Sequence, residues 1–287
     1  MSTAPDPACV LRFASFNLLH GRSVTDGKVD LDRLAAAVAD LDADVLALQE
    51  AERHQPRSHG ADLTALAAAA AGARYHHFAP AIVGLPGLWF RARRTRPSGR
   101  AGRARHRSGP TPAPWGSGWL PAYGIGLVSR YPADWVRRLD LDPPGPRINL
   151  RRRGPWRFRI LTDEPRVALA ARLRTPAGPL TVVATHLSPI AGRGEVQLER
   201  LARACADLPR PLVVLGDLNV RAPHPARITG WEPLATALTF PVTTPDRQLD
   251  HVLGDGTVRA EGAVAVDTGV SDHRALVVVL RLGTEQA

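Results

Sequence analysis

The chain predicts an α/β fold on three observations. Helical and strand periodicities alternate along its first half, many short apolar segments have the length of buried strands, and the 287 residues suffice for one large α/β domain or two smaller ones. FASFNLL at 13–19 is the first strand, with Asn17 placed where the strand should stop before Gly21. LDRLAAAVADL at 31–41 repeats apolar residues at helical spacing, and DVLALQ at 44–49 reads as a short buried strand. ADLTALAAAAAG at 61–72 predicts a second helix stopped by Gly72, and YHHFAPAIVG at 75–84 is extended.

From 85 to 121 the pattern collapses into an Arg/Gly/Pro/Ser-rich stretch without periodicity, expected to be a long mobile insertion because it cannot bury enough apolar surface to offset the entropy of ordering. Its bordering aromatics, Trp89, Phe90, Trp115 and Trp119, suit either stacking on bases or anchoring the insertion to the core. YGIGLVSRYPADWVRRLDL at 123–141 predicts two strands joined at Tyr131 and Pro132, and a second irregular basic stretch follows at 143–165. RVALAARLRT and PLTVVATHLS form a hairpin across PAGP. GEVQLERLARACADL at 194–208 is an amphipathic helix, PLVVLGDLNV a strand ending in polar residues, and QLDHVLG, VRAEGAVAV and SDHRALVVVLRL are three further strands. No internal repeat is visible, so one domain spanning 1–287 is expected, with 85–121 and 143–165 as its irregular parts.

Composition narrows the function classes. No apolar run reaches the roughly 18 residues of a membrane helix, and the first residues lack the basic and apolar regions of a signal peptide, so a cytoplasmic protein is expected. Cys9 and Cys205 are far apart and suit small core positions, which argues against redox chemistry. The formal charge of +10 invites a nucleic-acid partner, yet eight arginines between Arg91 and Arg107 carry most of it, and without them +2 remains.

The informative pattern is chemical. Several apolar segments begin or end in a tight polar group: Asn17, Glu50, His186, Asp217 with Asn219, Asp250, and Asp272 with His273. One such ending is a solvated edge; together they suggest strand ends converging on a ligand crevice. Glu50 and Asp272 are hard oxygen ligands suited to Mg²⁺ or Mn²⁺. Asn17 and Asn219 bind metal or phosphate oxygens without adding charge, Asp217 suits the orientation or deprotonation of a water, and His273 suits phosphoryl oxygens with Asp250 fixing its tautomer. His20, His54, His59, His76, His77, His106, His224 and His251 are read as residues without a role, and Asp32 and Asp44 as helix-flanking or capping carboxylates.

FNLLHG, LALQE, THLS, GDLN, LDHV and SDH, in this order, resemble the endonuclease/exonuclease/phosphatase superfamily, the DNase I-like metal-dependent phosphoesterases, from about Val10 to Leu282. The resemblance implies a four-layered α/β sandwich, two mixed β-sheets packed face to face and flanked by helices. It implies a metal site of Asn17, Glu50 and Asp272, catalytic groups His186, Asp217, Asn219, Asp250 and His273, and phosphate contacts from Asn17, His186, Asn219 and, more loosely, Arg166. THLS departs from the Tyr-containing stretch of enzymes that cut at abasic DNA and resembles the branch of secreted DNases, sphingomyelinases and inositol-phosphate phosphatases. The expectation is a monomeric Mg²⁺-dependent phosphoesterase acting on DNA or RNA. The alternatives are a small-molecule or lipid-headgroup phosphodiesterase, and a non-catalytic polyanion-binding protein.

Overall fold

Along β1 (Val10–Asn17), Leu11 and Phe13 face one way, Ala14 and Phe16 the other, and all four are buried. A strand buried on both faces must sit inside a layered structure. The computed structural model describes residues 10–85, 88–91, 119–142, 149–153, 157–161 and 163–283. After β1 come α1 (Leu31–Asp40), β2 (Val45–Arg53), α2 (Leu63–Ala70), β3 (Tyr75–Leu85), β4 (Leu88–Arg91), β5 (Ala122–Ser129), β6 (Ala133–Asp140), β7 (Asn149–Arg153) and β8 (Arg157–Leu161). The chain continues through β9 (Val167–Thr175), β10 (Gly178–His186), α3 (Arg193–Cys205), β11 (Leu212–Asp217), α4 (His224–Thr229), β12 (Glu232–Pro233), β13 (Asp250–Asp255), β14 (Val258–Val266) and β15 (Ala275–Leu282).

Two mixed sheets carry the fold. The larger has the order β14-β15-β1-β2-β5-β3-β4, with β1 and β2 parallel; the smaller is β12-β13-β11-β10-β9-β6, with β10 and β11 parallel. Strand alternation then sorts the side chains into layers. Phe13, Val45, Ile125 and Leu127 of the larger sheet meet Leu169, Val182, Leu215 and Val252 of the smaller in the central core. Phe16, Leu46, Leu48 and Val277 face the helices instead, packing on Leu34 and Val38 of α1 and Leu63 and Ala67 of α2. Val183 and Val214 pack outward on Leu198, Leu201 and Cys205 of α3. The result is the four-layered sandwich, and Cys205 is a buried core residue as its setting predicts. Cys9 lies outside the described residues. Among the described residues no helix is long and apolar enough to cross a membrane.

Three expectations need correction. Capping falls to Asp30, which accepts from the Asp32 and Arg33 N–H groups at 3.0 Å, and to Asp62 at the start of α2. Asp32 sits in the first turn of α1, while Asp44 accepts the Arg12 N–H at 2.8 Å and pairs with Arg130 at 3.2 Å. The stretches 85–121 and 143–165 also hold regular structure. Leu88–Arg91 pairs with β3, and β7 with β8 makes an arginine-dense hairpin in which charge hides any alternation. The remainder of both stretches, 86–87, 92–118, 143–148, 154–156 and 162, lies outside the described residues. Trp119 is 90% exposed and anchors nothing to the core.

Candidate active site

The strips of side chains that face between the sheets run out at one end of the sandwich, and there they turn polar. In β10 the central-core positions Leu180, Val182 and Ala184 are followed at the same parity by His186; in β11 Val213 and Leu215 lead to Asp217; in β13 Val252 is preceded by Asp250. The ladders align these ends, since His186 lies opposite Asp217 and Asp217 opposite Asp250. In the facing sheet, Phe13 leads through Ser15 to Asn17.

Glu50 reaches the same place by a bulge. The β2–β5 register slips between Leu48 and Ala51, so that Gln49 and Glu50 both stand against Ile125, and Glu50 has the left-handed φ of 54°. A bulge of this kind re-aims one side chain without breaking the sheet. Asn17, Glu50, Arg166, His186, Asp217, Asn219, Asp272 and His273 consequently line one cavity of about 410 Å³, with Asp250 buried behind His273.

Hydrogen bonds fix the group. Asn17 Nδ2 donates to Asp217 Oδ2 at 3.1 Å and, more weakly, to Glu50 Oε1 at 3.4 Å, tying carboxylates of both sheets together, while its Oδ1 accepts the Leu19 N–H at 3.1 Å. The Asn219 N–H donates to Asp217 Oδ1 at 2.9 Å, and its Nδ2 donates to Leu187 O at 3.0 Å. His273 Nδ1 lies 2.8 Å from Asp250 Oδ2, which leaves Nε2 3.7 Å from Asp217 Oδ2; His186 Nε2 stands 3.5 Å from the same oxygen. His251 faces away, its Nε2 on Val220 O at 2.8 Å, as its position after Asp250 predicts.

The electrostatics divide the roles. Burial opposes charge on His273, but Asp250, Asp217 and Asp272 outweigh it and lift its pKa to about 10, so both ring nitrogens are donors at neutral pH. His186 is pushed the other way by burial and by Arg166 and His273, and stays neutral. Burial raises the Asp217 carboxyl to about 7 against the pull of His273, in the range of a general base. Glu50 is raised by burial and by the nearby carboxylates of Glu164 and Asp272, against the Asn17 hydrogen bond and the Arg166 cation. Crowded hard oxygens such as Glu50 and Asp272 fit a divalent cation. Asp217, Asp250 and His273 also have donor atoms within 4.8 Å of one another. Nδ1 of His273 and Oδ2 of Asp250 are spent on each other, however, and that trio suits proton handling better than metal binding.

Sequence reasoning missed six lining residues: His20, Arg57, Tyr123, Asp163, Glu164 and Pro189. Tyr123 continues the Ile125–Leu127 strip of β5, and burial first, then the nearby carboxylates of Glu50 and Glu164, push its hydroxyl pKa up. Asp163 accepts from Ser188 Oγ at 2.6 Å and pairs with Arg193 at 3.0 Å and with Arg166 at 3.3 Å. Arg166 is therefore held in place from below, with its buried Nε unpartnered among the described residues.

A profile of the Endonuclease/Exonuclease/phosphatase family matches residues 14–273. No curated protein sequence matches the chain. Its fold is similar to that of an endonuclease/exonuclease/phosphatase from Beutenbergia cavernae DSM 12333, with a TM-score of 0.64 and 22% identity over 96% of this chain and 72% of that one. ANGEL2, a 2′,3′-cyclic phosphatase, is similar at a TM-score of 0.59 and 14% identity over 95% of both chains. TDP2 of D. rerio, humanized by 14 mutations, is similar at 0.56 and 12% over 95% and 99%. At such identities these structures share a fold.

Proposed function

Because the chain belongs to the endonuclease/exonuclease/phosphatase family, whose members are phosphoric ester hydrolases, we propose that it hydrolyses a phosphodiester bond with a water aligned by Asp217 and with Mg²⁺ or Mn²⁺ held by Glu50 and Asp272 beside Asn17. The observation that carries this reading is the aim of His273: Asp250 holds its Nδ1 at 2.8 Å, and Nε2 points toward Asp217 across the cavity that Glu50 and Asp272 also line. A divalent cation bound there would polarise the phosphoryl oxygen and stabilise the leaving oxygen.

The remaining work falls to the side chains. Asp217, fixed through both oxygens by Asn17 and Asn219, takes the proton of the attacking water. His273, charged at neutral pH, and Arg166 stabilise the charge that builds on the phosphoryl oxygens. Neutral His186 donates a hydrogen bond to the same group without adding charge beside Arg166. The protein acts as a monomer in this reading.

Nucleic acid is the favoured substrate. In the β7–β8 hairpin Arg151 stands opposite Arg159 and Arg153 opposite Arg157. A segment this dense in arginine attracts a polyanion through its phosphates. The fold neighbour ANGEL2 was solved with adenosine-2′,3′-vanadate, a nucleotide-like ligand.

Plasmid nicking and bis(4-nitrophenyl) phosphate hydrolysis, each with Mg²⁺ and with EDTA, test the proposal. Both activities are expected to need the metal, and Asp217→Asn or His273→Ala should reduce turnover by about 10²–10³ or more with the fold intact. Full activity in either folded variant, or in EDTA, would refute it. Diester hydrolysis without nicking would shift the substrate to a small phosphodiester.

A further inference from the structure

One corner of the cavity is cationic and takes no part in the hydrolysis above. His20 and Arg57 line it, from the loops that follow β1 and β2, whereas Arg166 and His186 belong to the opposite sheet. Arg57 is firmly mounted. It sits in the short 3₁₀ turn Pro56–Ser58, which is closed by the Ser58 and Gly60 N–H groups on Gln55 O at 3.2 and 2.9 Å, and Gln55 Nε2 is itself tied to Gly84 O at 2.8 Å.

Its guanidinium is mounted as well. Nε donates to Glu52 Oε1 at 2.6 Å and Nη2 pairs with the same oxygen at 2.5 Å, so neither contact uses Nη1. The Glu52 side chain is 0% exposed and that of Arg57 is 38% exposed, which makes the pair a buried anchor under a cation that still reaches the cavity. Glu52 Oε2 is buried without a hydrogen-bond partner among the described residues. Burying a carboxylate in this state costs more than one ion pair returns, and an apolar residue would serve stability better. The arrangement makes sense as a device for orienting Arg57.

His20 completes the corner. It adopts a left-handed φ of 49°, and burial, then Arg57 and then Arg22, push its pKa down to about 4, so it is a neutral hydrogen-bonding group in a positive surrounding. Phosphate is the ligand such a pair suits, because a guanidinium meets its oxygens with charge and matched geometry.

We infer that Arg57, oriented by Glu52, and His20 form a subsite for a second phosphate next to the one that is cleaved. The inference rests on the proposed hydrolytic site for the first phosphate and adds a substrate class, bisphosphates. Two sources share that chemistry, a nucleic-acid backbone and a small polyol bisphosphate. Arg57 is a specificity residue in this scheme, and Glu52 is a positioning residue.

Calorimetric titration in Mg²⁺ tests it without any need for turnover. The probes are adenosine 5′-monophosphate, adenosine 3′,5′-bisphosphate and inositol 1,4-bisphosphate. The wild type should bind one of the bisphosphates at least about 10-fold more tightly than the monophosphate, the gain expected of one charge-assisted contact. Which bisphosphate gains identifies the source. Arg57→Ala should erase the gain while leaving monophosphate affinity within about 2-fold, Arg57→Lys should restore part of it, and Glu52→Gln should reduce it with Arg57 still present. A second phosphate that adds nothing, or a gain that survives Arg57→Ala, overturns the subsite and leaves the hydrolytic reading standing. An Arg57-dependent gain in a protein that cleaves no diester would overturn the hydrolytic reading and keep the subsite.

Discussion

Asn17 donates through one nitrogen to carboxylates from two sheets, Asp217 at 3.1 Å and Glu50 at 3.4 Å, and its own oxygen is occupied by the Leu19 N–H at 3.1 Å. An amide suits this position because it adds a donor between two carboxylates without adding charge. Asn17→Asp therefore replaces a donor by a third carboxylate within the same distances. In EDTA the variant should melt several degrees below the wild type, and Mg²⁺ should raise its Tm more than that of the wild type, because a cation now relieves a larger repulsion. Thermal melts of both proteins with and without Mg²⁺ measure this. Equal Mg²⁺ shifts would mean that the carboxylates around Asn17 do not hold the cation. The same logic explains why Asn17 looked ambiguous in the sequence, where a turn asparagine and a site asparagine are spelled alike.

Strands are the elements that deliver the site, and their precision depends on close backbone contacts. Gly216 shows how close: a Cβ placed there would stand 2.0 Å from Thr185 O on the neighbouring strand, at the position just before Asp217. That obstacle is backbone and cannot rotate away, so Gly216→Ala has to push β11 from β10. We expect a loss of about 3 kcal/mol of stability, the upper part of the range for overpacking, with a fall in kcat because Asp217 moves with the strand. Chemical denaturation and steady-state kinetics check the two effects, and a variant of wild-type stability would mean that the β10–β11 contact is looser than described. Elements of this kind were legible in the sequence. Short continuous apolar runs in FASFNLL, TVVATHLS and LVVLGDLN mark strands of buried length, and the polar residue that closes each run marks where the core ends. Positions set by other means were not legible. Glu50 is aimed by a bulge, while Arg57 and His20 arrive through short turns whose course depends on contacts distant in the chain. Asp163 and Glu164 fall at the end of a stretch whose arginines mask its β7–β8 pairing, so nothing local singled them out.

At the scale of the whole molecule, burial of histidines in both sheets and of a carboxylate between them couples stability to pH in opposite senses. His20 and His77 have pKa values pushed down to about 4, chiefly by burial, and His76, His186 and His251 are lowered too. A histidine held neutral in the fold binds its proton in the unfolded chain first, so stability is lost as pH falls below about 6.5 and continues to fall toward 4. Asp217, raised to about 7, works against this, since its folded form keeps a proton that the unfolded chain releases above about 4. Five lowered histidines outweigh the two raised carboxyls, Asp217 and Glu50, and the acid limb should slope toward unfolding. Above neutrality the balance turns: His273, raised to about 10, keeps its charge in the fold, so its contribution is full below about 6.5 and is lost as pH rises to 10. Stability should therefore peak near pH 6.5–7. His77 isolates one arm of this curve, because it lies on β3, outside the residues that line the cavity. His77→Phe should flatten the acid limb by about 1.4 kcal/mol per pH unit, one proton's worth, between pH 6 and 4.5, and leave the alkaline limb unchanged. Urea denaturation across pH 4.5–9.5 in the absence of metal reads both limbs. An acid limb of the same slope in wild type and variant would show that His77 is protonated in the fold as readily as in the unfolded chain.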